Sequence, residues 1–260
     1  MGTIKIRSWR VPLRVFAVGV ISLFGYQYLY FSAFQHAPAV EVNLINYLWP
    51  LFIVLFSPLY LRDFSLRRSH IWGAAVGFLG ASLIVTGGSL GLRLVNMEGY
   101  LYAFGAALVW SSYSLIIKRL PSFPASAVSG FLLTSGIVAL ATYFFIDRSS
   151  QADVSLSSRD WLYLLMLGAG PQGTAIITWN IALQRGDPRI IGSLAYLTPL
   201  FSTLILALFG RGHLTWITWV AMVLILIGTV ISSSELLRRS PSTVEIAIET
   251  VHRVEQYPSS

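Results

Sequence analysis

The chain has 260 residues, 55% of them apolar and only 11% charged, with a mean hydropathy of +0.68 and a net charge of +7. That composition excludes an ordinary soluble domain. Cysteine is absent, which removes disulfides and thiolate metal sites, and no Walker A motif, paired-acid constellation, His cluster or zinc spacing offers a catalytic or cofactor centre.

Uncharged apolar stretches long enough to cross about 30 Å of hydrocarbon as helices recur along the chain, near residues 15–34, 42–61, 70–89, 99–117, 125–146, 161–182, 190–209 and 214–234. These runs are continuous and do not alternate, so they predict an all-α polytopic membrane protein with 8 transmembrane helices rather than a barrel. The first run is span-length and carries no small-residue cleavage site, so it reads as a membrane helix and not a signal peptide.

In the first span, Tyr26 and Tyr30 lie four residues apart and share a helix face. The second span brings Glu41, Asn43, Asn46, Tyr47, Trp49 and Pro50. Glu41 is the one carboxylate that dips into a span. Intramembrane acids invite a functional role such as proton coupling, but Glu41 equally suits the positive end of its own helix. On the third span Gly73, Gly77 and Gly80 form a small-residue stripe suited to close helix packing. Trp110 follows in the fourth, Trp179 and Asn180 in the sixth, and Tyr196 and Pro199 in the seventh.

Membrane Tyr and Trp usually form an interfacial belt, which Trp9, Trp72, Trp161, Trp216 and Trp219 fit by lying near span ends. The mid-span rings of Tyr26, Tyr30, Tyr47, Trp49, Trp110, Trp179 and Tyr196 do not, because each polar atom in hydrocarbon wants a partner. They are therefore candidates to line a cavity for apolar or aromatic substrates. Asn43, Asn46 and Asn180 either face that substrate or hydrogen-bond between helices. Pro50 and Pro199 each remove a backbone donor and should kink their helices, either as static kinks or as paired gates. The tail after Arg239 is polar, and Val244, Ala247, Ile248, Val251 and Val254 at helical spacing leave a surface helix and disorder both open.

Residues 33 to 62 recur at an offset of 149. Ala33, Gln35, Tyr47, Leu48, Pro50, Leu51 and Phe52 match Ala182, Gln184, Tyr196, Leu197, Pro199, Leu200 and Phe201. Five spans separate matching helices, an odd number, so the copies are inverted, a construction habit of secondary transporters. Spans four to eight form one five-helix copy (98–236), and the first copy (1–90) holds only three. The expected design is thus 3 + 5 of a 5 + 5 pattern, with an opening helix pair upstream and a cytoplasmic polar tail at 237–260.

With the N-terminus inside, only Arg93, Arg148, Arg159 and Arg211 among the 18 Lys and Arg residues fall outside. This positive-inside bias places both termini in the cytoplasm. It also explains the net charge by topology and anionic lipid, so nucleic acid is not an expected partner.

The inverted spans and the repeated Tyr-Leu-x-Pro-Leu-Phe resemble the EamA-type transporters of the drug/metabolite transporter superfamily. Glu41 to Pro50 (EVNLINYLWP), Trp179-Asn180, Tyr196 to Pro199 and Phe104 to Trp110 resemble the YddG-type branch, exporters of aromatic and related amino acids. The resemblance spans roughly residues 15 to 235. It implies an inner-membrane secondary transporter that exports or exchanges small, largely apolar amino acids by alternating access, without a cofactor, its proline-bearing spans bending as gates. Transport of another small metabolite, or a non-transporting remnant, are the alternatives. An intramembrane protease is disfavoured, because Gly192-Ser193 has no mid-span histidine to serve as base.

Overall fold

A computed structural model describes residues 11–62, 65–89, 93–147, 156–210, 215–232 and 234; the polar tail at 237–260 lies outside them. The described chain is helical: α1 (Leu13–His36), α2 (Ala39–Asn46), α3 (Trp49–Tyr60), α4 (Arg68–Thr86), α5 (Met97–Arg119), α6 (Ser126–Thr142), α7 (Ser158–Ala169), α8 (Ala175–Arg185), α9 (Pro188–Leu194), α10 (Leu197–Leu208) and α11 (Trp216–Ser232). Six of the eight expected spans are long and apolar enough to cross a membrane. The last, α11, is a shorter apolar helix. The sixth is interrupted: α7 and α8 are joined by a π-helical turn at Gly170–Thr174. Pro171 has no N–H to donate, which opens the regular ladder there, as single π-turns do.

The proline-bearing spans are each split in two. α2 ends at Asn46 and α3 begins at Trp49, while α9 ends at Leu194 and α10 begins at Leu197. Pro50 cannot bond the carbonyl four residues back, and neither can Pro199, so both helices break at repeat-related positions. At the centre the two copies touch: the Tyr196 hydroxyl donates to the backbone carbonyl of Tyr47, its own repeat counterpart, at 3.4 Å.

Apolar packing is concentrated where α1 lies along α5 and α6, burying Val15, Leu23, Tyr113 and Phe131. The Phe131 ring fills the notch left by Gly19. α3 packs between α5 and α9, with the Phe52 and Phe104 rings edge-to-face at 5.5 Å. On the far side α4 meets α11 through glycine. An added Cβ on Gly73 would lie 2.6 Å from the Gly228 carbonyl, and one on Gly228 would lie 2.5 Å from the Gly77 amide nitrogen.

Repeat-related positions are not equally covered. Gly168, counterpart of Gly19, has nothing within 4 Å of an added Cβ, and Phe201, counterpart of Phe52, is 55% exposed. No residue of α7 is buried.

Candidate functional site

Between α1, the break of α2 and α3, α5, the π-turn and α8 lies a cavity of about 480 Å³, within the roughly 300–1,000 Å³ of small-molecule pockets. Its wall is aromatic. Tyr26 and Tyr30 stack at 5.5 Å, as their shared helix face requires, and Tyr26 approaches Trp110 at 4.9 Å. Trp49 meets Trp179 edge-to-face at 5.2 Å, and Trp110 lies 6.3 Å from both indoles. Tyr47 completes this face.

Polar atoms in the wall are arranged as a small network. The Tyr30 hydroxyl donates to Asn43 Oδ1 at 2.6 Å, and Asn46 Nδ2 donates to the Tyr26 hydroxyl at 3.3 Å. Trp179 Nε1 donates to Ser114 Oγ at 3.1 Å. Asn46 Oδ1 is buried and has no hydrogen-bond partner, an acceptor whose desolvation is uncompensated, at a cost of about 1–3 kcal/mol. Among the described residues, none that lines the cavity is charged.

Eight of the sequence-selected residues therefore gather around one space: Tyr26, Tyr30, Asn43, Asn46, Tyr47, Trp49, Trp110 and Trp179. Asn180 and Tyr196 stand apart. Asn180 is fully buried, accepting from the Tyr113 hydroxyl at 2.9 Å and donating to the Ile176 carbonyl at 2.8 Å. Tyr196 is fully buried, its ring seated against Gly77. Helical geometry explains the first case, since Trp179 and Asn180 are neighbours in sequence and point about 100° apart.

Glu41 is also outside the cavity. Its carboxylate accepts from the Tyr100 hydroxyl and from Asn96 Nδ2 at 3.2 Å. It lines a separate recess of about 620 Å³ with Thr86, Ser89 and Arg93. Pro50 and Pro199 are buried at the helix breaks rather than exposed to the cavity. Sequence reading did not select Pro171, Gln172 and Thr198, which line the cavity. The Gly170-Pro171 step was the available signal, because it interrupts an apolar helix beside a polar residue.

The Pro188 end of α9 is tied by Asp187, which accepts from the Arg189 amide at 2.9 Å and from Arg189 Nη2 at 2.6 Å, while Arg189 Nη1 donates to the Ser65 carbonyl. Burial alone would push the Asp187 carboxyl up. The hydrogen bonds and charge of Arg189, with the nearby His70, outweigh it and hold the group below its ordinary value of 3.8. A depressed folded-state pKa gives stability that is present above pH 3.8 and is lost as pH falls through the folded value. The thermal midpoints of the wild type and Asp187→Asn should therefore converge on acidification below that pH, measured by scanning fluorimetry.

Comparisons with known proteins agree with this architecture. The sequence profile of the EamA-like transporter family matches residues 1–86 and 97–234. The chain is 38% identical over 203 residues to the aromatic amino acid exporter YddG of Ancylobacter novellus, covering 77% of this chain and 69% of that protein. It is 24% identical over 235 residues to YddG of Salmonella typhimurium (85% and 78% covered), and 32% identical over 135 residues to the riboflavin transporter of Vibrio cholerae (51% and 41%). A solved crystal structure 34% identical in sequence superposes with a TM-score of 0.82 over 90% of this chain and 81% of the other.

Proposed function

The chain belongs to the EamA-like transporter family, a multi-pass transporter of the inner membrane and not an enzyme, and we propose that it exports or exchanges aromatic and large apolar amino acids through the aromatic cavity. The observation that carries this reading is a wall of six Tyr and Trp rings with no charged side chain among the described residues. Rings favour an aromatic side chain by stacking and edge contacts. A lining without net charge suits a zwitterion, whose ammonium can donate to the unpartnered Asn46 Oδ1. The names of the YddG relatives agree.

Movement by alternating access is part of the same proposal, with the split helices at Pro50 and Pro199 as gates. α3 packs against α9, and an added Cβ on Gly192 would lie 3.2 Å from the Pro50 carbonyl. The repeat-related pair, α10 and α2, is not packed to a like extent, so the bundle is closed more tightly at one end than at the other. Such asymmetry is expected of a carrier open to one side. Glu41 lies away from the cavity, which favours exchange or gradient-driven movement over coupling through that carboxylate. A second reading, a planar heteroaromatic metabolite, is favoured by the riboflavin transporter relative.

Counterflow in liposomes tests both. Phenylalanine and tryptophan should exchange and riboflavin should not; riboflavin exchange without amino acid exchange would reverse the assignment. Each ring contact is worth about 0.5–1.5 kcal/mol, so Trp49→Ala and Tyr30→Ala should each lower phenylalanine uptake about 2- to 12-fold at unchanged expression. Unchanged rates in both variants would reduce these rings to packing.

The orientation has its own test. With both termini cytoplasmic, a thiol at Ser65→Cys should react with impermeant maleimide only from the inner side of sealed cells or vesicles. Labelling from outside would invert the topology.

A further inference from the structure

A second space, of about 580 Å³, lies beside the aromatic cavity between the His36-ward half of α1, the Thr142-ward half of α6 and the π-turn. The two share Gln172 and Ile176 as a common wall. At that wall Gln27 Nε2, on α1, donates to Gln172 Oε1, on the π-turn. The amide pair therefore stands where the two spaces meet. The backbone beneath Gln172 is irregular: Pro171 cannot close the ladder, and Gly168 and Gly170 have open space where a Cβ would stand.

We propose that this side chamber is a second station for the same apolar amino acid, reached from the aromatic cavity when the Gln27–Gln172 pair parts. The inference rests on the substrate class assigned above to the aromatic cavity. Three observations carry it. Leu23, Phe24, Phe31 and Leu132 supply an apolar wall for a side chain, while Gln27, Gln35 and Gln172 supply amides for its head group. A space filled only by acyl chains would leave the amide atoms outside the Gln27–Gln172 bond without partners in hydrocarbon. Gln27 Oε1 is already buried with no hydrogen-bond partner, and an ammonium group provides the missing donor. Because Gln172 and Ile176 line both spaces, the occupant proposed is the molecule that fills the neighbouring cavity.

The chain has no cysteine, so single thiols report each space. An added Cβ on Gly136, in the chamber wall, meets nothing within 4 Å, and Gly136→Cys is therefore accommodated. Ala139→Cys on the same wall replaces it should the first variant misfold. In phosphatidylcholine nanodiscs a water-soluble cationic thiosulfonate should label Gly136→Cys. Phenylalanine at ten times its Kd should slow that labelling about tenfold. Gln27→Ala should speed labelling of Ala195→Cys, a half-buried position of the aromatic cavity, by about threefold or more, roughly the effect of one lost neutral hydrogen bond.

Failure to label either chamber thiol, while the exposed Ser122→Cys reacts, would show a lipid-filled space and overturn the proposal. Phenylalanine protection of Thr198→Cys without protection of the chamber thiol would overturn the second station and leave the aromatic cavity standing. Protection at neither place would overturn the assigned substrate class and the station with it. An unchanged Ala195→Cys rate in Gln27→Ala would overturn the amide pair as the partition.

Discussion

Fusing an apolar two-span hairpin, about 50 residues, ahead of α1 should raise phenylalanine flux in liposomes by about tenfold or more, the scale set by burying one apolar side chain at roughly 1.5–3 kcal/mol. The reason lies in the uneven cover of repeat-related positions. α1 is held by α5 and α6, with Phe131 in the Gly19 notch and Phe104 against Phe52. The counterparts Gly168 and Phe201 face open space. An inverted repeat of two equal copies would place a helix pair equivalent to α5 and α6 in those seats. A paired substitution separates this from general stabilisation. Phe201→Ala should cost less in the 260-residue chain, where the ring is 55% exposed, than in the extended form, where a helix covers it. Equal flux from both forms, or equal tolerance of Phe201→Ala, would show that the hairpin is dispensable.

Gly228→Val should be among the most destabilising single changes in the chain, costing about 3 kcal/mol, the upper part of the range for overpacking. Most such contacts can relax because a side chain swings away. Here the obstacles are the Gly77 amide nitrogen at 2.5 Å and the Gly73 carbonyl at 2.6 Å, both backbone, so α4 and α11 must separate. Thermal midpoints should fall by about 6–12 °C, using roughly 2–4 °C per kcal/mol for a chain of this size. Gly136→Ala provides the contrast: it has open space around it and should gain about 0.5–1 kcal/mol from helix propensity. A Gly228→Val protein as stable as the wild type would show that α11 is not held through this seam.

Much of the fold was legible because membrane helices leave coarse marks: apolar run length, proline, and glycine at four-residue spacing. The breaks before Pro50 and Pro199 follow from a missing donor and needed no tertiary information. The π-turn at Gly170–Thr174 escaped because run length does not register a local change in hydrogen-bond pattern, and the span stays apolar on either side of it. Residue type pointed to Tyr26, Tyr30, Tyr47, Trp49, Trp110 and Trp179, which do surround one space. It could not separate them from Asn180 and Tyr196, because facing depends on helix rotation and on which neighbour arrives to cover a ring. Gln172 carried no repeat or aromatic mark, and only the π-turn brings it to the wall.

Tyr47 and Tyr196 hold the same place in two copies of one motif, and they have become different things. One ring borders the cavity; the other is sealed against Gly77 and reaches across to its twin's backbone. Duplication supplied two equal tyrosines, and folding them face to face left room for only one at the centre. The two positions should consequently tolerate drift unequally. Variation at 47 can retune what is carried, whereas variation at 196 threatens the joint on which both halves rest. A lineage that changes its cargo is then expected to edit the first copy and to leave the second alone.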